Sequence, residues 1–116
     1  MDIGLHEDQV FKNVDYTGEK FAKSEFDGCE FINCDFSKSN LSNIDFMDCS
    51  FGGCNFSLAV LDNTRIKNIK FKDCRLMGID FSKCNNFLFA ASFANCQMDY
   101  CSFYQKKMKS ACFHLL

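Results

Sequence analysis

The side chains of this sequence most able to do chemistry are its nine cysteines, and 116 residues is a short chain to hold so many. Thiols at this density suggest a disulfide framework, a zinc site or a nucleophile. The zinc pattern fails, because there is no C-x2-C pair and the two histidines, His6 and His114, lie near opposite ends of the chain. The nucleophile pattern fails as well. No histidine neighbours a cysteine or serine between these ends, and no G-x-S-x-G elbow or glycine-rich phosphate loop is present. Gly52 and Gly53 stand alone and fit a turn. No catalytic residue, cofactor or metal ligand is therefore assigned, and the chain is expected to bind or build rather than catalyse. The carboxylates are the other chemically active group. Residues 1–60 carry 11 acidic and 4 basic side chains and residues 61–116 carry 4 and 9, so the chain runs from −7 to +5 around a net charge of −2. Such asymmetry points to an interaction surface.

The elements that must position these groups follow from a single period. A bulky apolar residue recurs at every fifth position from Phe11 through Phe26, Phe31, Phe36, Leu41, Phe46 and Phe51 to Phe81, fifteen positions in succession. Five matches neither the 3.6-residue helix nor the 2-residue strand, so the period marks a repeat architecture. The expected next centre is Asn86, where the register breaks; it resumes two residues late with Leu88, Phe93, Met98, Phe103, Met108 and Phe113. One two-residue insertion near residues 84–89 explains the shift. Eight of the nine cysteines, all but Cys112, lie two places before a centre, beside residues such as Ser24, Ser39, Ile44, Ala59 and Thr64. That slot takes small or β-branched side chains and is expected to face inward. The cysteines are accordingly read as small buried hydrophobes, although their spacing alone leaves disulfides open.

Units such as CEFIN, CDFSK, SNLSN, IDFMD and CNFSL resemble the pentapeptide-repeat proteins over roughly residues 9–114. The stretches KFKDCRLMGIDF (70–81) and FANCQMDYCSF (93–103) most resemble the quinolone-resistance (Qnr) and microcin-immunity type. The resemblance implies an all-β fold, a right-handed quadrilateral parallel β-helix in which four pentapeptides make one 20-residue coil. The expected organisation is an N-terminal cap over residues 1–10, with Ile3, Leu5 and Val10 as its lid, and about five coils over residues 11–116. Coils stack at ~4.8 Å, so a height of about 24 Å is expected. Residues 20 apart should then form ladders, one of them Phe11, Phe31, Phe51, Phe71, Phe93 and Phe113.

For function, the resemblance implies a DNA-mimicking protein that binds and protects type II topoisomerase, DNA gyrase or topoisomerase IV, and so confers quinolone resistance. A generic structural or protein–protein interaction scaffold is the alternative. Glu25, Asp27, Asp45 and Asp48 are placed together on one outward side and are the partner-binding candidates, with a merely solvated face as the other reading. The same side then turns basic at Arg65 and Lys67, and again at Lys107 and Lys109. Phe87 and Phe89, in the insertion, are further candidates if they do not fold inward. The basic run RIKNIKFKDCR fans over three sides and lacks exposed aromatics for base stacking, so direct nucleic-acid binding is not expected. Phe113, Leu115 and Leu116 are the candidates for an end-to-end homodimer interface. The opening MDIGLHEDQV lacks a signal-peptide layout, and no apolar run approaches the ~18 residues of a membrane span. The bacterial cytoplasm is the expected location.

Overall fold

The computed structural model describes residues 4–104 and 112–114. Its strands are β1 (Gly4–Glu7), β2 (Val10–Lys12), β3 (Ser24–Asp27), β4 (Glu30–Ile32), β5 (Asp45–Met47), β6 (Ser50–Gly52), β7 (Arg65–Lys67), β8 (Ile69–Lys72), β9 (Ala91–Ala94) and β10 (Cys112–His114). All pairing is parallel. One sheet runs β1-β3-β5-β7 and the other β10-β9-β8-β6-β4-β2. Two further sides are closed by single bridges, Asp15–Asp35–Asn55–Arg75–Gln97 and Lys20–Asn40–Val60 with Asp80–Ser102. The result is a four-sided β-solenoid of about five turns. Its principal extents are 31 × 27 × 23 Å, a column scarcely taller than it is wide.

The period of five arises from the corners. Each straight side takes about three residues, and the residue two places after most centres turns the chain with a positive φ: Asp8, Asn13, Gly18, Gly28, Asn33, Asn43, Asp48, Gly53, Asn63, Asn68, Asp73 and Gly78, with Lys38 and Leu58 in the same conformation. Asn, Asp and Gly tolerate this left-handed conformation best, which explains their spacing. The corner side chains also bond up the column, Asn63 Nδ2 to Asn43 Oδ1 at 2.8 Å and Asn68 Nδ2 to Asp48 Oδ1 at 2.7 Å. At Gly53 a Cβ would meet Asn33 Oδ1, so a larger residue there requires the Asn33 side chain to move.

Stacking in register places like residue over like. Phe11, Phe31, Phe51, Phe71 and Phe93 stack face to face at centroid separations of 4.8, 4.8, 5.4 and 5.2 Å. Tyr16, Phe36 and Phe56 form a second column at 5.0 and 4.9 Å. Rings of adjacent columns meet edge-on, as Phe51 does with Phe56 at 5.0 Å and 80°. These are the offset-stacked and T-shaped geometries that ring quadrupoles favour. Another stack begins a turn earlier than the sequence period indicated: His6 occupies a centre and lies 4.8 Å from Phe26, which lies 5.3 Å from Phe46. Residues 4–7 pair with 24–27 as the outermost strand. Leu5 and Val10 occupy outward slots and are exposed, rather than folding over the end of the coil as a lid.

The slot two places before each centre faces inward, and Cys29, Cys34, Cys49, Cys54, Cys74, Cys84 and Cys96 are buried in it as thiols. Their position is also polar in one respect. The Sγ atoms of Cys34, Cys54, Cys74 and Cys96 donate to the carbonyls of Phe11, Phe31, Phe51 and Phe71 in the coil below, at 3.4, 3.4, 3.2 and 3.4 Å. Thr64 Oγ1 does the same to Leu41 O at 2.7 Å. The slot therefore takes a small donor in these coils and a buried isoleucine at Ile44, Ile69 and Ile79. The cavity left among Leu41, Phe46, Phe51, Phe56 and the rings above them is about 10 Å³. That is at the limit for one water, which would find no polar partners there.

At the fifth turn the ladder offset changes from 20 residues, Phe51 on Phe71, to 22, Phe71 on Phe93. The extra residues bulge outward on the side of β7. Leu88, expected as a resumed centre, is instead 63% exposed with φ at 55°. Its neighbour Phe89 packs against the core, and Phe93 is the first fully buried ring back in register.

Two predictions follow from this interior. Phe51 is 1% exposed between two stacked rings, so Phe51→Ala should lower unfolding free energy by about 3–5 kcal/mol in urea titration. Burial pushes the Cys49 thiol up to about 12 from an ordinary 9.0, and desolvation carries the Tyr16 phenol to about 12 from 10.0. In that alkaline window the unfolded chain loses these protons while the folded chain keeps them. Stability is therefore complete below about pH 9 and falls as pH rises towards about 12. Urea midpoints taken at about pH 7 and about pH 10.5 should show the fall, and Cys49→Ser should reduce it.

Candidate functional site

The side built from β1, β3, β5 and β7 carries the charged surface. β3, β5 and β7 bury their centres, β1 half-buries His6, and the residues on either side turn outward, so outward positions form two columns. One column reads Leu5, Glu25, Asp45 and Arg65, and the other Glu7, Asp27, Met47 and Lys67. The corner beside them adds Asp8 and Asp48. Parallel pairing in a 20-residue register is what gathers these side chains, which the chain separates by whole coils.

The structure thus brings Glu25, Asp27, Asp45 and Asp48 together on one side. Glu25 stands beside Asp45 in adjacent strands, and Asp27 lies between Glu7 and Met47. Glu7 and Asp8 complete the patch. Subtracting 20 from Asp27 and Gly28 locates both, but a reading that starts the coil at Phe11 leaves them in a cap. Residues 4–8, 24–28 and 45–48 therefore hold six carboxylates and no lysine or arginine.

The six are not equivalent. Asp45 is bound by Lys67 Nζ at 3.0 Å, an ion pair to the coil above, and Asp48 accepts from Asn68. Glu7, Glu25 and Asp27 make no side-chain hydrogen bond or ion pair among the described residues. Asp15 and Asp35, on the third side, differ again. Each accepts its own turn's backbone N–H, from Thr17 and Ser37 at 2.9 Å. The hydroxyls of Thr17 and Ser37, followed by those backbone N–H groups, hold both carboxyls below the usual carboxylate range. They serve their turns, whereas the first side presents its charge to solvent.

Above the patch the sign reverses. Arg65, Lys67, Lys70, Lys72 and Arg75 lie in the fourth coil and spread over three sides. An open groove of about 570 Å³ runs along the adjoining corner, lined by Lys20, Lys23, Glu25, Asn43, Asp45 and Arg65. Its mixed charges do not converge on a reacting centre. Among the described residues no group of three or more His, Cys, Asp or Glu could hold a metal ion. No helix among them is long and apolar enough to cross a membrane.

In the insertion, Asn85 Oδ1 accepts from Phe87 N at 2.8 Å in a side-chain-closed turn, and Phe87 is 60% exposed. Phe89 turns inward, so of the two aromatic candidates only Phe87 stands at the surface. The backbone at Phe113 pairs with Phe93 as a further strand of the sheet. Leu115 and Leu116, the other end-to-end interface candidates, and Lys107 and Lys109 lie outside the described residues.

A sequence model described as the pentapeptide repeat region matches residues 24–103. No curated protein matches the chain. Among solved structures it is similar to QnrB1, a plasmid-mediated fluoroquinolone resistance protein. One trypsin-treated variant of QnrB1 aligns at 22% identity and a TM-score of 0.46, over 94% of this chain and 67% of that one. Full-length QnrB1 aligns at 27% and 0.41, over 92% and 47%, and a second trypsin-treated variant at 25% and 0.45, over 89% and 52%. The chain thus spans about two thirds of the first and about half of the other two. The matched repeat region covers most of the sequence and coincides with the stacked coils, and the chain belongs to the pentapeptide-repeat family.

Proposed function

We propose that this chain works without catalysis, as a DNA-mimicking binder that occupies a basic, DNA-accepting groove of a type II topoisomerase and so protects the enzyme from quinolones. The observation that supports this reading is the patch of six carboxylates on three consecutive coils. Three coils at ~4.8 Å span about 14 Å, over which duplex DNA carries about 8 phosphate charges. Six carboxylates approach that density, even though the net charge of the whole chain is only −2. The parallel ladder beneath fixes their spacing before any partner arrives, so little ordering cost is left to binding. A field of one sign over a stiff surface also accelerates encounter with a basic groove.

The choice of topoisomerase follows the sequence resemblance to the quinolone-resistance type. A second reading, a protein–protein interaction scaffold with an unrelated partner, is favoured by the basic fourth coil. Duplex DNA has no such reversal of sign.

Gyrase supercoiling with and without a quinolone separates the two. The wild-type chain at micromolar concentration should restore supercoiling in the presence of the drug. The combined variant Glu7→Gln, Glu25→Gln, Asp27→Asn and Asp48→Asn should lose that effect by roughly tenfold or more, since each change removes a steering charge. Absence of both protection and inhibition by the wild type would leave the scaffold reading.

A further inference from the structure

The first side is self-complementary. Over the first four turns its column before the centres reads Leu5, Glu25, Asp45 and Arg65, and in the fifth turn the insertion exposes Phe87. The column after the centres reads Glu7, Asp27, Met47 and Lys67, and the insertion then places Leu88 outward. The side thus sets Leu5 beside Glu7 in the first turn, is acidic in the second and basic in the fourth, and is apolar at the insertion. Leu5 is 56% exposed, Phe87 60% and Leu88 63%, while Met47 in the middle turn is 37% exposed. Exposed apolar side chains at both ends and the centre of one charged side call for an explanation.

From this pattern we infer that two copies of the chain associate side by side through this side, with their coil axes antiparallel. A two-fold axis along β5 sets the second turn of one copy against the fourth turn of the other. Glu25 then faces Arg65, and Asp27 faces Lys67, twice over by symmetry. Leu5 meets the Phe87–Leu88 bulge at both ends, and Met47 meets its symmetry mate. Asp45 also approaches its mate, with Lys67 at 3.0 Å offsetting its charge. A parallel arrangement sets each turn against itself, acid on acid and base on base, and is repelled. Sequence order along the column therefore selects one orientation.

The contact is small. Five coils by one strand of about four residues present a patch of about 24 by 13 Å, roughly 300 Å² per copy against the ~800 Å² typical of stable complexes. The pair is accordingly transient, steered by charge and weakened by salt. It differs from an end-to-end dimer, which would leave this side open. It does not depend on the topoisomerase reading either, but it covers the same carboxylates, so a second copy and a basic partner compete for them.

A charge exchange tests the pairing. One variant carries Glu25→Lys and Asp27→Lys, the other Arg65→Glu and Lys67→Glu, and circular dichroism confirms that each keeps the strand signal. In analytical ultracentrifugation at low salt and several hundred micromolar, the wild type should self-associate, and should do so less in 0.5 M NaCl. Each variant alone should remain monomeric, and an equimolar mixture of the two should recover association. Independently of charge, Met47→Cys should give a disulfide-linked dimer on mild oxidation in high yield. Leu58→Cys, on another side and more exposed than Met47, and the cysteines of the wild type should not. A wild type that stays monomeric, variants that associate as it does, a mixture that fails to recover, or a Met47→Cys chain that does not cross-link would each overturn the inference.

Discussion

Everything in this molecule rests on the contact between one coil and the next. A strand of three or four residues has no partner within its own turn and must pair with residues 20 positions away. That pairing satisfies the backbone, and it also sets each aromatic ring on the ring below at about 5 Å. Hydrogen bonding and ring stacking thus call for the same rise per turn, so neither is strained to satisfy the other. Proline is absent from the sequence, as expected where nearly every straight segment donates its N–H to a neighbouring coil.

Much of this was legible in the sequence because the constraint repeats. Phe31, Phe51 and Phe71 announce the ladder by their spacing alone, and the inward cysteine slot follows from the same count. What was not legible shows where periodicity ends. His6 fills a centre as an aromatic ring stacked on Phe26, but histidine is not a residue that a hydrophobic period would select. Glu7 and Asp8 were hidden with it. At the insertion, counting assigned Leu88 to the interior, whereas the chain turns outward there at a left-handed residue and Phe89 takes the inward contact. A count cannot tell which of three adjacent apolar residues a bulge will expel. The corner columns carried a signal that outward polarity alone obscures: the Asn, Asp and Gly found two places after most centres are there for their backbone conformation.

Since the interior is uniform, difference between coils is confined to the outward positions, and charge there is sorted along the axis. On the first side Glu25 and Asp45 give way to Arg65, and on the third Asp15 and Asp35 give way to Asn55 and Arg75. A solenoid converts sequence order directly into axial order, so a chain acidic in its first half becomes a column with an acidic end and a basic end. That polarity gives any partner, whether a basic groove or a second copy, a defined direction of approach.

The central claim is the 20-residue stack, and nuclear Overhauser contacts in solution test it most directly. The account predicts amide and α-proton contacts linking Phe31 to Phe51 and Phe51 to Phe71, and then Phe71 to Phe93 at an offset of 22. Contacts at other offsets, or sequential contacts typical of helix through these phenylalanines, would contradict it.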